Sequence, residues 1–290
     1  MIIKSLPLTL CLSFAFAASF FAQQNQQERE WNQPVVPFKI AGNIYYVGAS
    51  DITSYLITTP KGHILIDSGF IETVPQIKEN IAKLGFKLAD VKILLNSHAH
   101  YDHAGGLAEL RRLTKAKLLV SEPDFELMSN GGKGDPNFGD RFPFEPTKAD
   151  VTFTDGKKVK LGGTVLKANL TPGHTRGCTT WTTEVTDSGR KYNAIFVCST
   201  SAPGYKLVRN EKYPSIYQDY QRTFTRLERM RVDIFLGSHG NIYDLEGKIK
   251  SLQFVKGVNP FVDSVSYRDY LAASKAAIQN AYTRQLQPQK

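Results

Sequence analysis

Four side chains that can bind a metal ion lie within six residues of one another, directly after an apolar segment. They are His98, His100, Asp102 and His103, in the string Asn-Ser-His-Ala-His-Tyr-Asp-His-Ala-Gly-Gly that begins at Asn96. Side chains this polar are costly to pack together unless something binds them. The alternative is a solvated loop in which the aspartate caps the following helix. The density of the cluster, and the two glycines that allow close backbone approach, favour a metal site.

The flanking segments place this cluster in a loop between a strand and a helix. Val91–Leu95 is an apolar run typical of a buried strand, and Ala104–Leu113 has the apolar spacing of a helix. A loop can aim neighbouring side chains at different points. We therefore expect the first two histidines of the cluster to share one metal ion, while the aspartate and the last histidine face a second.

Two more histidines complete the candidate ligand set. His174 follows Leu-Thr-Pro-Gly and His239 follows Leu-Gly-Ser, so each lies in a turn after an apolar strand, a common place for sites in layered α/β folds. We predict that His174 joins the first ion and that His239 joins the second. His63, after Pro-Lys-Gly, is expected to be a surface residue at the start of a strand, and it is given no role.

These residues resemble the metallo-β-lactamase superfamily, whose signature is His-x-His-x-Asp-His followed by later single histidines. The similarity runs from about Trp31 to Tyr270, and Ile64–Gly69 looks like the superfamily's first motif. The resemblance implies a four-layer αββα sandwich with its metal cleft at one edge of the two sheets. Strands that alternate with amphipathic helices agree with a layered α/β fold. The expected helices are Ile71–Leu84, Ala104–Leu113, Ser215–Met230 and Asp263–Tyr282.

The segment Phe196–Gly204 distinguishes among branches of the superfamily. Hydrolases of the glyoxalase II and lactonase type keep a bridging aspartate there, and this chain has none. The first two β-lactamase subclasses place a cysteine ligand there, which makes Cys198 a candidate, but in the commonest of them arginine follows the motif aspartate, where this chain has His103. The Ser-x-Ser-Ala-Pro-Gly-Tyr string after the cysteine resembles the third subclass, as do the strings around Trp31 and Asn137. We predict that Cys198 is a strand residue facing the core.

The resemblance also implies roles for residues around the metal centre. Ser199 would hydrogen-bond a metal-bound water and Ser201 the substrate carboxylate, with turn capping as the alternative for both. Tyr205 would donate to the developing oxyanion, with simple packing as the alternative. Trp31 and Phe138 would wall the cleft, although aromatic residues in such places also serve only for packing.

The implied function is a β-lactamase with two zinc ions per chain and a small-molecule substrate. A zinc-bound hydroxide would attack the β-lactam carbonyl carbon, and Asp102 would orient that hydroxide. Asp67, after a buried strand, is a candidate to orient a ligand histidine. The main alternative is a dizinc hydrolase of another ester or lactone. A protein in which zinc only stabilises the fold is disfavoured, because structural zinc sites are closed.

The first 22 residues have the pattern of a signal peptide for export to the periplasm. One lysine precedes an apolar stretch that ends in small residues before polar ones. We place the cleavage after Ala22, with Ala17 or Ala18 as alternatives, and we expect no membrane anchor after processing. Residues 23–290 are predicted to form a single domain, because no linker or repeat interrupts them.

The charge of the processed chain argues against nucleic-acid binding. Removing residues 1–22 takes away one lysine and no acidic residue, which lowers the net charge from +9 to +8. The basic residues are scattered without a run, which favours a solvated surface that attracts anionic substrates. We expect a monomer. Cys178 and Cys198 come near each other across a predicted hairpin, so a cross-strand disulfide, with strained geometry, stays open.

Overall fold

The computed structural model describes residues 26–254 and 257–287 and contains two β-sheets. The predicted signal peptide lies outside the described residues. The first sheet consists of β1 (Phe38–Ala41), β2 (Ile44–Tyr46), β3 (Tyr55–Ile57), β4 (His63–Ile66), β5 (Val91–Leu95), β6 (Lys117–Ser121) and β7 (Val151–Phe153). The second consists of β8 (Lys158–Leu161), β9 (Thr164–Leu170), β10 (Thr179–Asp187), β11 (Arg190–Val197) and β12 (Ile234–Gly237). The helices are α1 (residues 26–31), α2 (Val74–Lys83), α3 (Tyr101–Ala104), α4 (Leu107–Thr114), α5 (Phe125–Ser129), α6 (Ile216–Glu228), α7 (Leu245–Phe254) and α8 (Ser264–Leu286).

The order of strands brings several strand ends to the same edge. The first sheet runs in chain order from β1 to β7, antiparallel as far as β4 and parallel from β4 onward. The second sheet has the order β12-β11-β10-β9-β8, and in it only β11 and β12 are parallel. Neighbouring parallel strands end side by side, so the loops after β4 and β5 are adjacent, as are those after β11 and β12.

Successive side chains of the first sheet face two different apolar layers. Ile64 and Ile66 of β4 belong to the core shared with the second sheet, which includes Trp181 and Phe196. Leu65, between them, belongs to a core built with α2 and α4. Because adjacent side chains of a strand point to opposite faces, β4 is covered on both sides and needs an uninterrupted apolar sequence.

The helices α6 and α8 cover the outer face of the second sheet. The ring of Phe235 in β12 packs against Tyr267 and Tyr270 of α8, with ring centroids 5.3 and 5.4 Å away. The two sheets with helices outside them confirm the predicted αββα sandwich. Among the described residues, no helix is both long enough and apolar enough to cross a membrane.

Two sequence predictions about local structure were wrong. His63 is buried rather than at the surface, at 8% exposure, because it is the first residue of β4 and its ring packs edge-on against Phe86. The single helix predicted over Ala104–Leu113 is two helices, α3 and α4, separated by two glycines. The break arises because the backbone N–H of Gly106 donates to Gly69 O and to Ser68 Oγ instead of continuing the helix.

Candidate metal centre

All six predicted ligands converge at one edge of the two sheets. The loop after β5 carries four of them, and the loops after β9 and β12 carry His174 and His239. They surround the floor of a cleft of about 880 Å³, into which four of the six open. His98 and His103 lie beneath that floor and are almost fully buried.

The first three ligands form one group of donor atoms. Nδ1 of His100 lies 3.1 Å from Nε2 of His174, and donor atoms of His98, His100 and His174 all lie within 4.8 Å of one another. Nε2 of His98 is buried and has no hydrogen-bond partner among the described residues. An orphaned nitrogen of this kind is costly unless a ligand binds it.

The other three ligands form a nearly equilateral triangle. Nε2 of His103 lies 3.2 Å from Nε2 of His239 and 3.3 Å from Oδ2 of Asp102. The third side, from Asp102 Oδ2 to His239 Nε2, is 3.5 Å. Two ligands of a tetrahedral zinc ion, each bound at about 2.0–2.1 Å, lie about 3.3 Å apart. Both groups therefore fit the donor type and the spacing that a zinc ion requires.

The two groups are close enough to act on one substrate. Donor atoms of His98, from the first group, and of Asp102 and His103, from the second, lie within 4.8 Å of one another. The rings of His98 and His103 have centroids 4.3 Å apart. This spacing would suit a pair of metal ions about 3.5–4 Å apart, as in two-metal hydrolytic sites.

In four of the five ligand histidines, a polar partner contacts one ring nitrogen and leaves the other nitrogen to face the metal position. Ser97 Oγ lies 3.0 Å from Nδ1 of His98, and the carbonyl oxygen of Ser201 lies 2.8 Å from Nδ1 of His174. Such partners fix the tautomer and the orientation of a ligating ring. Because Nδ1 of both rings has such a partner among the described residues, Nε2 is the nitrogen available to a metal ion.

Two aspartates that the sequence interpretation missed have the same role. Oδ2 of Asp135 lies 3.1 Å from Nε2 of His100, and Oδ2 of Asp51 lies 2.7 Å from Nδ1 of His239. Each of these carboxylates is itself held by backbone N–H groups: Asn137 and Phe138 donate to Asp135, and Asn241 donates to Asp51. Both aspartates lie in irregular loops without a metal-binding motif, so no local signal marked them.

Asp67, which was predicted to orient a ligand, lies beside the ligand loop. Its Oδ1 accepts hydrogen bonds from the backbone N–H of Ser97, at 2.6 Å, and from Nδ2 of Asn96, at 3.0 Å. Its Oδ2 is 3.7 Å from Nδ1 of His103, which is close but beyond a direct hydrogen bond. Asp67 also has a positive φ of 59°, rare for a residue with a side chain. The carboxylate therefore holds the loop and adds negative charge beneath His103.

Burial and neighbouring charges prepare the ligands electrostatically. Burial lowers the pKa of His174 to about 3 and that of His98 well below its usual range, so both are neutral at neutral pH, the form that binds metals. Burial raises the pKa of Asp102, but the nearby His103 and His239 outweigh it and hold that pKa well below the usual range. Burial likewise lowers the pKa of His239, but Asp102 and Asp51 outweigh it and raise the pKa to about 9. Without metal, Asp102 and His239 are thus an ion pair, whose proton a metal ion would replace.

A family comparison matches this arrangement. Residues 47–239 match the family model described as the metallo-β-lactamase superfamily, and this range holds all six predicted ligands. The chain belongs to the metallo-β-lactamase superfamily.

Solved structures narrow the likeness within the superfamily. The native FEZ-1 metallo-β-lactamase of Legionella gormanii is 46% identical, with a TM-score of 0.87 over 89% of this chain and 99% of that one. BJP-1 of Bradyrhizobium japonicum, a subclass B3 metallo-β-lactamase, is 36% identical, with a TM-score of 0.83 over 88% and 96% of the two chains. A curated relative, the lactamase-like protein adaB of Aspergillus niger, is 26% identical over 81% of this chain and 67% of its own length. The structural neighbours are thus metallo-β-lactamases, which are metal-dependent hydrolases.

The cysteine that distinguishes subclasses of the superfamily is not free to bind metal. Cys198 is fully buried and forms a disulfide with Cys178. The strain expected for this pair is not seen in the spacing of the backbone, since the Cα atoms are 5.8 Å apart, within the usual range for disulfides. Although both sulfurs and His98 form a compact group, sulfurs bonded to each other offer no thiolate.

Four of the predicted substrate-binding residues line the cleft. Ser199 and Ser201 lie on one wall with their hydroxyl oxygens 3.1 Å apart. Trp31 packs edge-on against the ring of His239, and Phe138 lies against the ring of His100, with centroid distances of 5.3 and 5.4 Å. These four side chains are therefore placed to contact a molecule over the metal positions.

Tyr205, in contrast, does not line the cleft. It is 3% exposed, its ring stacks on that of His174, and its hydroxyl lies 3.4 Å from Nδ1 of that histidine, the nitrogen turned away from the metal position. These contacts are those of a packed tyrosine, and the oxyanion role of Tyr205 stays a prediction.

Proposed function

We propose that this chain is a dizinc β-lactamase that hydrolyses the β-lactam amide bond. The observation that carries the proposal is the pair of donor groups, three histidines in one and Asp102, His103 and His239 in the other, at the floor of one cleft. The likeness to metallo-β-lactamases over nearly the whole described chain supports it. Cys198 and Ser199, with no carboxylate, follow β11, which argues against the glyoxalase II and lactonase branch.

The residues divide the work between binding and chemistry. Zinc ions at the two groups would lower the pKa of a water molecule toward about 7 and polarise the substrate carbonyl. Oδ2 of Asp102 faces its two histidine neighbours, which leaves Oδ1 to accept a hydrogen bond from the attacking water and so to orient it. Ser199 would hydrogen-bond a water at the metal positions and Ser201 the substrate carboxylate, while Trp31 and Phe138 would exclude water from the sides of the cleft.

Hydrolysis of nitrocefin, a chromogenic cephalosporin, tests the proposal. We expect turnover by the purified protein, loss of turnover after treatment with a chelator, and recovery when zinc is returned. A parallel panel of lactones and thioesters tests the alternative, a dizinc hydrolase of another ester or lactone. Chelator-sensitive turnover of a lactone or thioester without turnover of any β-lactam would replace our proposal with that alternative.

We also propose that the chain is exported to the periplasm and acts there as a monomer. The support is the signal-peptide pattern of residues 1–22, with its small residues before polar ones. N-terminal sequencing of the protein from a periplasmic extract should find Gln23 first, if cleavage follows Ala22. Gel filtration of that protein should give the mass of one processed chain. An intact Met1 would contradict the proposed cleavage, and a mass of two chains would contradict the proposed monomer.

A further inference from the structure

A buried carboxylate outside the predicted ligand set connects two of the ligand loops. Asp124 ends a short 3₁₀ turn after β6 and is 2% exposed. Its Oδ2 accepts hydrogen bonds from the backbone N–H of Ala99, at 3.1 Å, and from the hydroxyl of Thr175, at 2.8 Å. Its Oδ1 accepts one from the backbone N–H of Gly177, at 2.7 Å. Three donors reduce the cost of burying this charge.

The positions of these donors relate Asp124 to the first group of ligands. Ala99 lies between His98 and His100, and Thr175 directly follows His174. One side chain therefore ties together the two loops that supply all three histidines of that group. The two loops are far apart along the chain, because Asp124 lies between them, 25 residues after Ala99 and 51 residues before Thr175.

The local backbone is shaped to admit this carboxylate. A Cβ added at Gly177 would lie 2.6 Å from atoms of the Asp124 side chain and 2.2 Å from Ser121 Oγ. A larger residue would push the His174 loop away from the aspartate. Ser121 Oγ also donates to the carbonyl oxygen of Gly177, at 2.8 Å, which holds the same loop from a second side.

The negative charge of Asp124 would also stabilise a cation bound by this group. An imidazole binds a metal ion in its neutral form, so the three histidines of the first group would not offset the charge of a divalent ion. Asp124 and Asp135, both buried against this group, supply negative charge at short range, where the low dielectric makes it effective.

We propose that Asp124 is a positioning residue that sets the zinc affinity of His98, His100 and His174. It does so by holding the His98–His100 loop against the His174 loop, so that their donor nitrogens stay at ligand spacing. The inference rests on the metal centre of the proposed function, but not on the identity of the substrate.

Zinc affinity measured by competition with a chromophoric chelator tests this role. The protein carries His239→Ala, so that only the first group can hold zinc tightly. We expect Asp124→Asn to weaken zinc binding by about tenfold or more, the range seen when a ligand's supporting partner is lost. The matched control is Asp233→Asn, because Asp233 accepts two 2.8 Å hydrogen bonds from Asn193 at the opposite end of β12. It should change the zinc affinity less than twofold.

Two further results separate positioning from general destabilisation. In the protein with His239 intact, saturating zinc should restore most of the turnover that Asp124→Asn loses. Thr175→Val keeps the charge but removes one of the three hydrogen bonds, so it should weaken zinc binding less, in the same direction. If Asp124→Asn does not fold, Thr175→Val still tests the role proposed for Asp124.

Zinc affinities in Asp124→Asn and Thr175→Val equal to that of their parent would overturn the inference, as would lost turnover that zinc does not restore. The proposed function fails separately, if the zinc-loaded protein without these substitutions does not hydrolyse β-lactams.

Discussion

The imidazole of His239 is held between two carboxylates, Asp102 at Nε2 and Asp51 at Nδ1. The second carboxylate makes the ring a stronger ligand and prevents it from rotating away from the metal position. The ring also has Trp31 packed against it, so its orientation depends on contacts from three other segments of the chain. A change at this one residue therefore removes a donor and also takes away the imidazole that contacts Oδ2 of Asp51.

We expect His174→Ala or His239→Ala to lower β-lactam turnover by about two orders of magnitude or more, because each removes one ligand from one zinc ion. The matched control is His63→Ala, since His63 is also buried but lies at the opposite end of β4 from the cleft. It should lower the free energy of unfolding by about 1–3 kcal/mol while folded protein keeps a rate near wild type. Steady-state kinetics together with thermal unfolding separate the two effects. Equal loss of turnover in His63→Ala and His174→Ala would show that the ligand assignment is wrong.

Cys198→Ser should keep both zinc ions and most of the activity, because the sulfur is bonded to Cys178 and not available as a ligand. It should nevertheless lower stability, by about 2–4 kcal/mol, since the disulfide closes a loop of 20 residues. Cys178→Ser is the matched control and should behave alike. The measurement is the near-ultraviolet spectrum of the cobalt-substituted protein: a strong sulfur-to-metal charge-transfer band that disappears in Cys198→Ser would assign the thiolate as a ligand after all.

At this scale, the sequence predicted the clustered site residues and missed those that depend on tertiary packing. The spacing of His98, His100, Asp102 and His103 is visible in one loop, and the structure brings the two later histidines to it. Asp51 and Asp135 contact the site from 188 and 35 residues away, through irregular loops. No periodicity or motif encodes such an approach, so only the packed chain identifies them.

Among the helices, α8 contributes most to the shape of the cleft. One face of it lines a wall, with small residues in the middle and Arg284 near its end. Gln285 fastens that end, because its side chain accepts from the backbone N–H of Leu207 and donates to the carbonyl oxygen of Tyr205. The helix is thus bonded to the segment that follows Ser199 and Ser201. In the described part of the chain, the Arg284 guanidinium has no hydrogen-bond or ion-pair partner.

We expect Arg284→Ala to raise KM for anionic cephalosporins about two- to fivefold with little change in kcat, as the loss of an exposed ion pair with bound substrate would do. The comparison should be made at low ionic strength, where screening is weak. Arg268→Ala, on the same helix but outside the cleft lining, is the control. A change in KM no larger than that of the control would exclude a role for Arg284 in binding.

The helices and strands themselves were mostly predictable, because their periodicity is local. β5 has the predicted bounds, and α2, α6 and α8 lie where apolar spacing placed them. The break between α3 and α4 was not predictable, since it depends on hydrogen bonds from Gly106 to a loop 37 residues away. That break turns α3 into a single turn whose residues Asp102 and His103 face the cleft floor.

For the whole molecule, bound metal should contribute to stability as well as to catalysis. A ligand that binds only the folded chain stabilises it by about 4 kcal/mol at a thousandfold excess over its Kd. We expect about two zinc ions per processed chain by elemental analysis after dialysis against zinc, and a clear fall in Tm after chelation. The His239→Ala variant should hold one. A stable content of one zinc in the fully active protein would rule out the two-ion mechanism.

The separation of the ligands along the chain also dictates when zinc can enter. His103 and His239 are 136 residues apart, and Asp51, which precedes both, is 188 residues from His239. Closing loops this long costs conformational entropy, so we expect these contacts to form late in folding. A nascent chain therefore has no complete ligand set for the second ion. If it crosses a membrane unfolded, it arrives without its metal and must acquire zinc in the compartment where it folds.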